Sequence, residues 1–360
     1  MQLIKDFLDK HQIREQRFAL GVSGGADSLA LAFLFKQELP DYHLVALTVD
    51  HGLRPSSKKE AEYVAKIMAE FGIEHHILTW NGEKPQTGIE ERARLARYCL
   101  LSGWCKINDI HYLAIAHHLF DQAETFLMRL ERGSGLYGLS AMQEISEKNG
   151  LKILRPLLNT HPQILKDYLK QQNIAWVEDE SNQCTDFLRV KMRQFLPLLA
   201  EQTGITAERL CLAAENLCRT RGFIEDMVND VLLNNVHLWS KCGASFDVAE
   251  FMSWHDELKF YILSRLICNI SGNAYTPEAE SLRTLIIDMQ QTDFSGATLG
   301  GVYFCKQDLR LWLVKEYRDT ETEISERAWA EYEQKTPEVR GLKIPLKLKQ
   351  ALIFEKKQEN

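Results

Sequence analysis

The 360-residue sequence predicts an α/β fold: a doubly wound, mainly parallel sheet, followed by a mostly helical second domain with a small β hairpin. Three observations carry this expectation. Through the first half, short β-branched runs at 17–22, 43–49, 74–79 and 111–116 alternate with amphipathic stretches at 28–38, 57–71, 89–107 and 119–132. A glycine pair within Ser23-Gly24-Gly25-Ala26-Asp27-Ser28 joins the first strand to the first of those helices. Beyond about residue 205 the alternation stops and long helical patterns take over.

Taken in order, the apolar run Phe18 to Val22 reads as a strand and Leu29 to Phe35 as the helix that returns it. Strands alternating with helices in this way are parallel and joined by right-handed crossovers, so the loops after them share one edge. Those loops are 23–28, Asp50 to Arg54, Trp80 to Gly82 and His117 to Asp121. After Gly133-Ser134-Gly135, Ile153-Leu154 add a further strand before Pro156, and 161–173 is helical. Glu178 to Gln183 is polar and loop-like, and 187–200 regains helical periodicity. A long helix is expected over 206–235, with Thr206 as N-cap and Glu208 and Arg209 in its first turns. Further helices fall at 255–271 and 277–290, and Gly296 to Phe304 with Leu309 to Val314 form a hairpin joined by Lys306-Gln307-Asp308. The tail from 315 is charge-rich and gives little periodicity. The expected domains are 1–205, 206–315 and a charged tail, 316–360, that is either shortened or diverged from a folded domain.

Composition narrows the class. Hydrophobic residues make up 45% of the chain and charged residues 26%, which excludes a disordered polymer. No apolar run approaches the roughly 20 residues that span a bilayer, and the N-terminus lacks a basic region followed by an apolar core. A cytoplasmic protein with no membrane partner is expected. The eight cysteines, at 99, 105, 184, 211, 218, 242, 268 and 305, contain no C-x-x-C pair, so neither zinc nor an iron-sulfur cluster is expected. A net charge of -7 argues against a protein that coats nucleic acid through its overall field. Local basic groups, Arg189-Lys191-Arg193 and Arg340-Lys343-Lys347-Lys349, read by themselves as solvated faces.

Three groups of residues carry chemistry. A glycine pair opening a helix turns backbone amides onto an anion, which makes 23–28 a candidate phosphate cradle; a tight turn capped by Asp27 or Ser28 is the plainer reading. The cradle lacks the lysine of a Walker A loop and carries Asp27 instead, which suits a bridging metal ion or a pyrophosphate held briefly and released. The run from Ala116 through His117, His118, Asp121, Gln122 and Glu124 to Thr125 follows the fourth strand. It places histidines and carboxylates where they orient a cation or move a proton, or else only favour a helix N-terminus. Arg189 and Arg193, at i and i+4, present two guanidinium groups on one helix face, either to phosphate or to Asp179, Glu180 or Asp186. Glu90, Glu91, Arg94 and Arg97 read mainly as salt-bridge pairing along one helix.

Together these segments resemble the PP-loop, or N-type, ATP pyrophosphatases, whose S-G-G-x-D-S signature is matched at 23–28. The order of Val49-Asp50-His51-Gly52-Leu53-Arg54-Pro55, the Arg94 to Tyr98 region, His117 to Thr125, Arg129 to Gly135 with Gly138-Leu139, and Glu180-Ser181-Asn182 before Phe187 and Arg189 is similar to tRNA(Ile)-lysidine synthetases. The likeness runs over roughly the first 200 residues, and 296–314 resembles a segment of that family's C-terminal region more weakly. Two departures stand out: Phe120 replaces the first of two acids common in the histidine motif, and no further basic, tryptophan-containing C-terminal domain is recognisable.

The resemblance implies ligation of L-lysine to C2 of the wobble cytidine of an isoleucine tRNA with a CAU anticodon, using ATP and Mg²⁺. It implies ATP binding by Ser23, Gly24, Gly25, Ala26, Asp27 and Ser28, with Asp27 as the magnesium ligand. Asp27, His117, Asp121, Arg189 and Arg193 become the expected catalytic residues, and His51, Arg54, Glu124, Arg129 and Arg132 expected contacts to lysine or tRNA. A PP-loop tRNA thiolase, or a nucleotide-binding regulator that never turns ATP over, is the alternative.

Overall fold

The computed structural model describes residues 2–52, 57–82, 89–148, 150–177, 188–273, 276–316, 326–336, 339 and 342–359. They fall into two compact units, Met1–Arg221 and Gly222–Asn360.

In the first unit, α1 (Leu3–Lys10) precedes the alternating series β1 (Arg17–Gly21), α2 (Ala26–Glu38), β2 (His43–Asp50), α3 (Ser57–Glu70), β3 (Glu74–Thr79), α4 (Ile89–Ile107), β4 (Tyr112–Ala114) and α5 (Leu119–Glu131). The short α6 (Leu136–Leu139), β5 (Ile145–Lys148), β6 (Leu151–Leu154), α7 (Pro162–Gln171) and α8 (Leu188–Thr203) follow. The sheet order is β3-β2-β1-β4-β6-β5, parallel except for β5. Continuous burial on β1 shows that both faces are covered: Phe18 and Leu20 join one core with α1, α2, α3 and α7, while Ala19 joins Leu101 and Cys105 of α4 in another. The fold is doubly wound, as the alternation predicts. β1 lies between β2 and β4, with Ala19 opposite both Val45 and Leu113, so the strand order reverses between β1 and β4. In open α/β sheets a crevice opens at that reversal. β5 was not expected: its four residues, two of them charged, pair only with β6 at the sheet edge.

The long helix α9 (Ala207–Asn234) starts where Thr206 predicts, with the Arg209 amide donating to Thr206 Oγ1 at 3.4 Å. Packing carries the first unit past residue 205, because Leu210, Cys211 and Ala214 of α9 share a core with Leu119, Ala123 and Leu127 of α5.

The second unit is a five-stranded antiparallel sheet with helices. Its strands are β7 (His237–Trp239), β8 (Gly243–Asp247), β9 (Ala297–Leu299), β10 (Val302–Gln307) and β11 (Arg310–Lys315), in the order β7-β8-β11-β10-β9. The expected hairpin is β10 with β11, and the run Gly296 to Phe304 breaks into two strands at Gly300 and Gly301, whose φ values are 62° and 80°. A Cβ on Gly300 would lie 2.6 Å from Ile267 Cγ2, so this turn also needs glycine for space. Helices α10 (Val248–Ser253), α11 (Asp256–Ser271) and α12 (Ala279–Met289) cover one face through Phe251, Ile262, Leu266, Leu282 and Met289. The charge-rich tail holds α13 (Glu326–Lys335) and α14 (Leu346–Glu359), and α14 buries Leu348, Ala351 and Leu352 against Trp239, Trp312 and Val314 on the other face.

Candidate functional site

The loop after β1 is built to leave donors free. Gly24 has φ +91°, and a Cβ there would lie 2.9 Å from Val64 Cγ2, so only glycine makes this turn. Gly25 is the N-cap of α2 and supplies no side chain to its first amides. Ser28 braces the loop instead: its Oγ accepts from the Ser23 amide at 3.1 Å, lies 3.2 Å from Ser23 Oγ and donates to Gly25 O at 3.0 Å. A relay beneath it, Thr48 Oγ1 donating to Val22 O at 2.7 Å with His75 Nε2 2.8 Å away, fixes the end of β1. Burial pushes His75 down to about 4, so its ring stays neutral.

Across the strand reversal, the loop after β4 brings the second group. His118 is the N-cap of α5: its Nδ1 accepts from the Asp121 amide at 3.3 Å, and Asp121 Oδ2 accepts from the His118 amide at 3.0 Å. With Nδ1 accepting, the ring carries a proton on Nε2, which faces Asp27 Oδ2 at 3.6 Å. Burial, partly offset by His118, raises the Asp27 carboxyl above its usual range, and Asp27 Oδ1 is buried without a hydrogen-bond partner.

Asp121 goes the other way. Burial works to raise its carboxyl, but His118, Arg189 and His117 outweigh it and hold Asp121 ionised below the ordinary range. His117 is half-buried and neutral, pushed down to about 3 by desolvation and, against the pull of Asp121, by Arg155, Arg189 and Arg94 nearby; its Nδ1 is buried and makes no hydrogen bond. Beneath them Glu124 has a fully buried side chain and binds both arginines of α8: Arg189 Nε donates to Oε2 at 2.8 Å and Arg193 Nε to Oε1 at 2.6 Å. Arg189 Nη2 also reaches Asp121 Oδ1 at 3.3 Å. This bidentate network fixes both guanidinium groups while leaving their side chains about 40% exposed (41% and 39%).

The structure thus gathers Ser23, Gly24, Gly25, Ala26, Asp27 and Ser28 with His117, Asp121, Arg189 and Arg193 at one edge. Glu124 is there too, but as the buried clamp of the arginines. Asp179, Glu180 and Asp186, the other partners considered for those arginines, lie outside the described residues, as does Arg54. His51 Nε2 accepts from Arg97 Nε at 3.3 Å, so Arg97 of α4 turns to the loop after β2. The side chains of Glu90 and Glu91, its expected helix partners, lie outside the described residues. Arg129 is committed to structure: its Nη1 donates to Gly138 O at 2.7 Å and Ala141 O at 2.8 Å, holding α6 in place. Arg132 ends α5 as its C-cap, exposed.

The sequence reading placed His118 at the ligand edge without giving it a role, and it missed Arg155. His118 reaches Asp27, and an H-x-x-D capping box at 118–121 was its readable signal. Arg155, directly after β6, is buried and donates to Gln143 O at 2.7 Å and Ser146 Oγ at 3.0 Å; no local pattern marks it. Phe120, the departure from the expected acid, stacks edge-on against His161 at 4.9 Å and His118 at 6.3 Å.

A parallel sheet with a lysine-free amide nest and an aspartate at its strand reversal defines the PP-loop class, and residues 1–199 match the PP-loop domain family. A U34-tRNA thiolase from Methanococcus maripaludis, solved with its [4Fe-4S] cluster, has a similar fold, with a TM-score of 0.53 and 18% identity over 61% of this chain and 78% of that one. Sequence similarity is closer elsewhere. A tRNA(Ile)-lysidine synthase from Wolbachia sp. subsp. Brugia malayi is 35% identical over 321 residues, 87% of this chain and 74% of that protein. The corresponding protein of Ruegeria pomeroyi is 34% identical over 309 residues, 85% of this chain and 73% of its own length. The chain belongs to the tRNA(Ile)-lysidine synthase family.

Proposed function

We propose that this chain ligates L-lysine to C2 of the wobble cytidine in an isoleucine tRNA bearing a CAU anticodon, consuming ATP and releasing pyrophosphate and AMP. The observation that carries the reading is the meeting of two loops at the strand reversal, with His118 Nε2 3.6 Å from Asp27 Oδ2. That contact sets a nucleotide nest beside a buried carboxylate and a pair of clamped arginines.

The C2 carbonyl of cytosine is a poor electrophile, so its oxygen first bonds to the α-phosphorus while the bridging oxygen leaves with its electron pair on pyrophosphate. In this reading the amides of Gly24 and Gly25 and the hydroxyls of Ser23 and Ser28 hold the phosphates at the N-terminus of α2. Arg189 and Arg193, locked by Glu124, stabilise charge as it builds on the α-phosphate. Lysine's side-chain amine then attacks C2 and AMP departs. An ammonium with an unperturbed pKa of about 10.4 has to lose a proton first. Asp121, held ionised, is suited to bind that ammonium and accept the proton as the C–N bond forms. His117, kept neutral, accepts no proton at neutral pH and instead offers its unpartnered Nδ1 as a hydrogen-bond acceptor.

The donor set fits magnesium held jointly with substrate. Asp27 Oδ1 is buried without a partner, and among the described residues no three His, Cys, Asp or Glu side chains converge into a protein cage. When bound, the ion would be held by Asp27 and phosphate oxygens and would offset the charge of the pyrophosphate. The target base lies in a single-stranded loop and can be splayed out at modest cost. No described helix is long and apolar enough to cross a membrane, and we place the reaction in the cytoplasm.

Incubation with ATP, labelled lysine and tRNA tests the activity. Label should enter tRNA; incorporation that requires a sulfur donor would replace the reading with a thiolase, and no pyrophosphate release would leave a regulator. Asp121→Asn, which keeps the acceptor for the His118 amide, should lower lysidine formation by about 100-fold or more with an unchanged circular dichroism spectrum. Near-normal turnover would remove Asp121 from the mechanism.

A further inference from the structure

The nest at 23–28 has no lysine of its own, yet a cation on a neighbouring helix acts on its aspartate. α7 starts beside α5: the Leu119 amide donates to Thr160 O at 3.1 Å, and the α7 N-cap, His161, stacks on Phe120. Its buried Leu165 and Leu169 pack into the same core as Leu29, Leu31 and Phe35 of α2. Lys166 lies a little over one turn into α7, half-buried. Side chains on a helix lean toward its N-terminus, which for Lys166 is the end of α7 beside α5. Its charge acts on the Asp27 carboxyl. Among the described residues Lys166 makes no hydrogen bond or ion pair. The acid next to it, Asp167, is taken by Gln163 Nε2 at 2.8 Å and Lys170 Nζ at 3.8 Å. A half-buried ammonium without a partner, on a helix that packs against α2 and starts beside α5, is placed to meet an anion at the amide nest.

We infer that Lys166 supplies the phosphate-binding cation missing from the 23–28 loop, holding the β- and γ-phosphates of ATP and then the departing pyrophosphate. The inference rests on the ATP-cleaving reading above. Lys166 donates hydrogen bonds and transfers no proton: the bond between the α-phosphorus and the bridging oxygen breaks, and the ammonium meets the charge left on pyrophosphate. A lysine on a neighbouring helix holds the outer phosphates without approaching the α-phosphate, which must stay open to the incoming base.

Calorimetric titration of the full chain with inorganic pyrophosphate and with AMP, in magnesium buffer, tests this. Lys166→Met should weaken pyrophosphate binding and raise the KM for ATP by about tenfold or more, as the loss of a charge-assisted hydrogen bond would. AMP affinity and the KM for lysine should stay within about twofold of the parent chain, and Lys166→Arg should restore most of the pyrophosphate affinity. Unchanged pyrophosphate affinity in Lys166→Met, with the parent chain binding pyrophosphate and making lysidine, overturns the inference alone. A parent chain that binds neither ATP nor pyrophosphate overturns the reading of the site, and the inference with it.

Discussion

The two sheets of this chain spend their strand ends differently. In the first unit each of the strands β1 to β4 runs into a loop and then a helix, so unpaired amides, helix N-caps and polar side chains collect at one edge. In the second, β9, β10 and β11 turn directly into one another, and their ends are satisfied by ladder partners: Val302 opposite both Leu299 and Lys315, Gln307 opposite Arg310. The buried polar side chains follow suit. His118, Gln122, Glu124 and Arg155 sit in the first unit near the strand reversal, whereas the second buries Ser245, Lys259 and Ser264. Parallel topology gathers chemistry at an edge, and antiparallel topology consumes the same groups in holding itself together.

The sharpest way to break that contrast is to neutralise one buried charge in each unit. Glu124→Gln leaves Arg189 and Arg193 around an amide, which should cost about 2–3 kcal/mol; both arginines keep some water, so the penalty stays below that of a fully buried pair. Chemical denaturation measures it, and a loss under about 0.5 kcal/mol would mean the network is decorative. Acid should come next. His117 is depressed to about 3 in the folded chain but titrates near 6.5 unfolded, so the unfolded state binds the extra proton between those values. Stability is therefore intact above about pH 6.5 and falls below it, by about 2 kcal/mol from this residue at pH 5. Asp27 offsets part of this, because its raised carboxyl takes up a proton more readily when folded. Hydrogen exchange of peptides from β1, α2 and α5 should speed up at pH 5, and His117→Gln should flatten the dependence. The smallest effect belongs to the second unit: Lys259 is buried, but its partner Asp256, 2.9 Å away, is largely exposed, so Lys259→Met should change stability by less than about 1 kcal/mol. A larger loss would show that the second unit also depends on a buried charge.

Much of the first unit was legible because local and global signals agree. Short β-branched runs, helical apolar stretches and Gly24-Gly25 each point to one crossover fold, and Thr206 marks the start of α9 by its side chain alone. The tail after 315 was not legible: α14 carries apolar residues on a helix rich in lysine, and their meaning appears only against Trp239 and Trp312. Long-range pairing hid other parts. β5 exists because β6 offers an edge, and the two halves of the Gly296 to Phe304 run separate because the positive φ of Gly300 and Gly301 turns β9 back onto β10.

The sequence by itself determined the alternating order of β1 to α5, the lysine-free nest with its aspartate, and the family to which the chain belongs. Those are local: turn chemistry and hydrophobic period act over a few residues and leave a mark in the letters. Only the tertiary structure decided that His118 rather than His117 faces Asp27, and that Glu124 clamps Arg189 and Arg193 from 65 and 69 residues away. Such pairings depend on which strand lies beside which. That choice is made by the packing of the whole sheet, not by any segment of it.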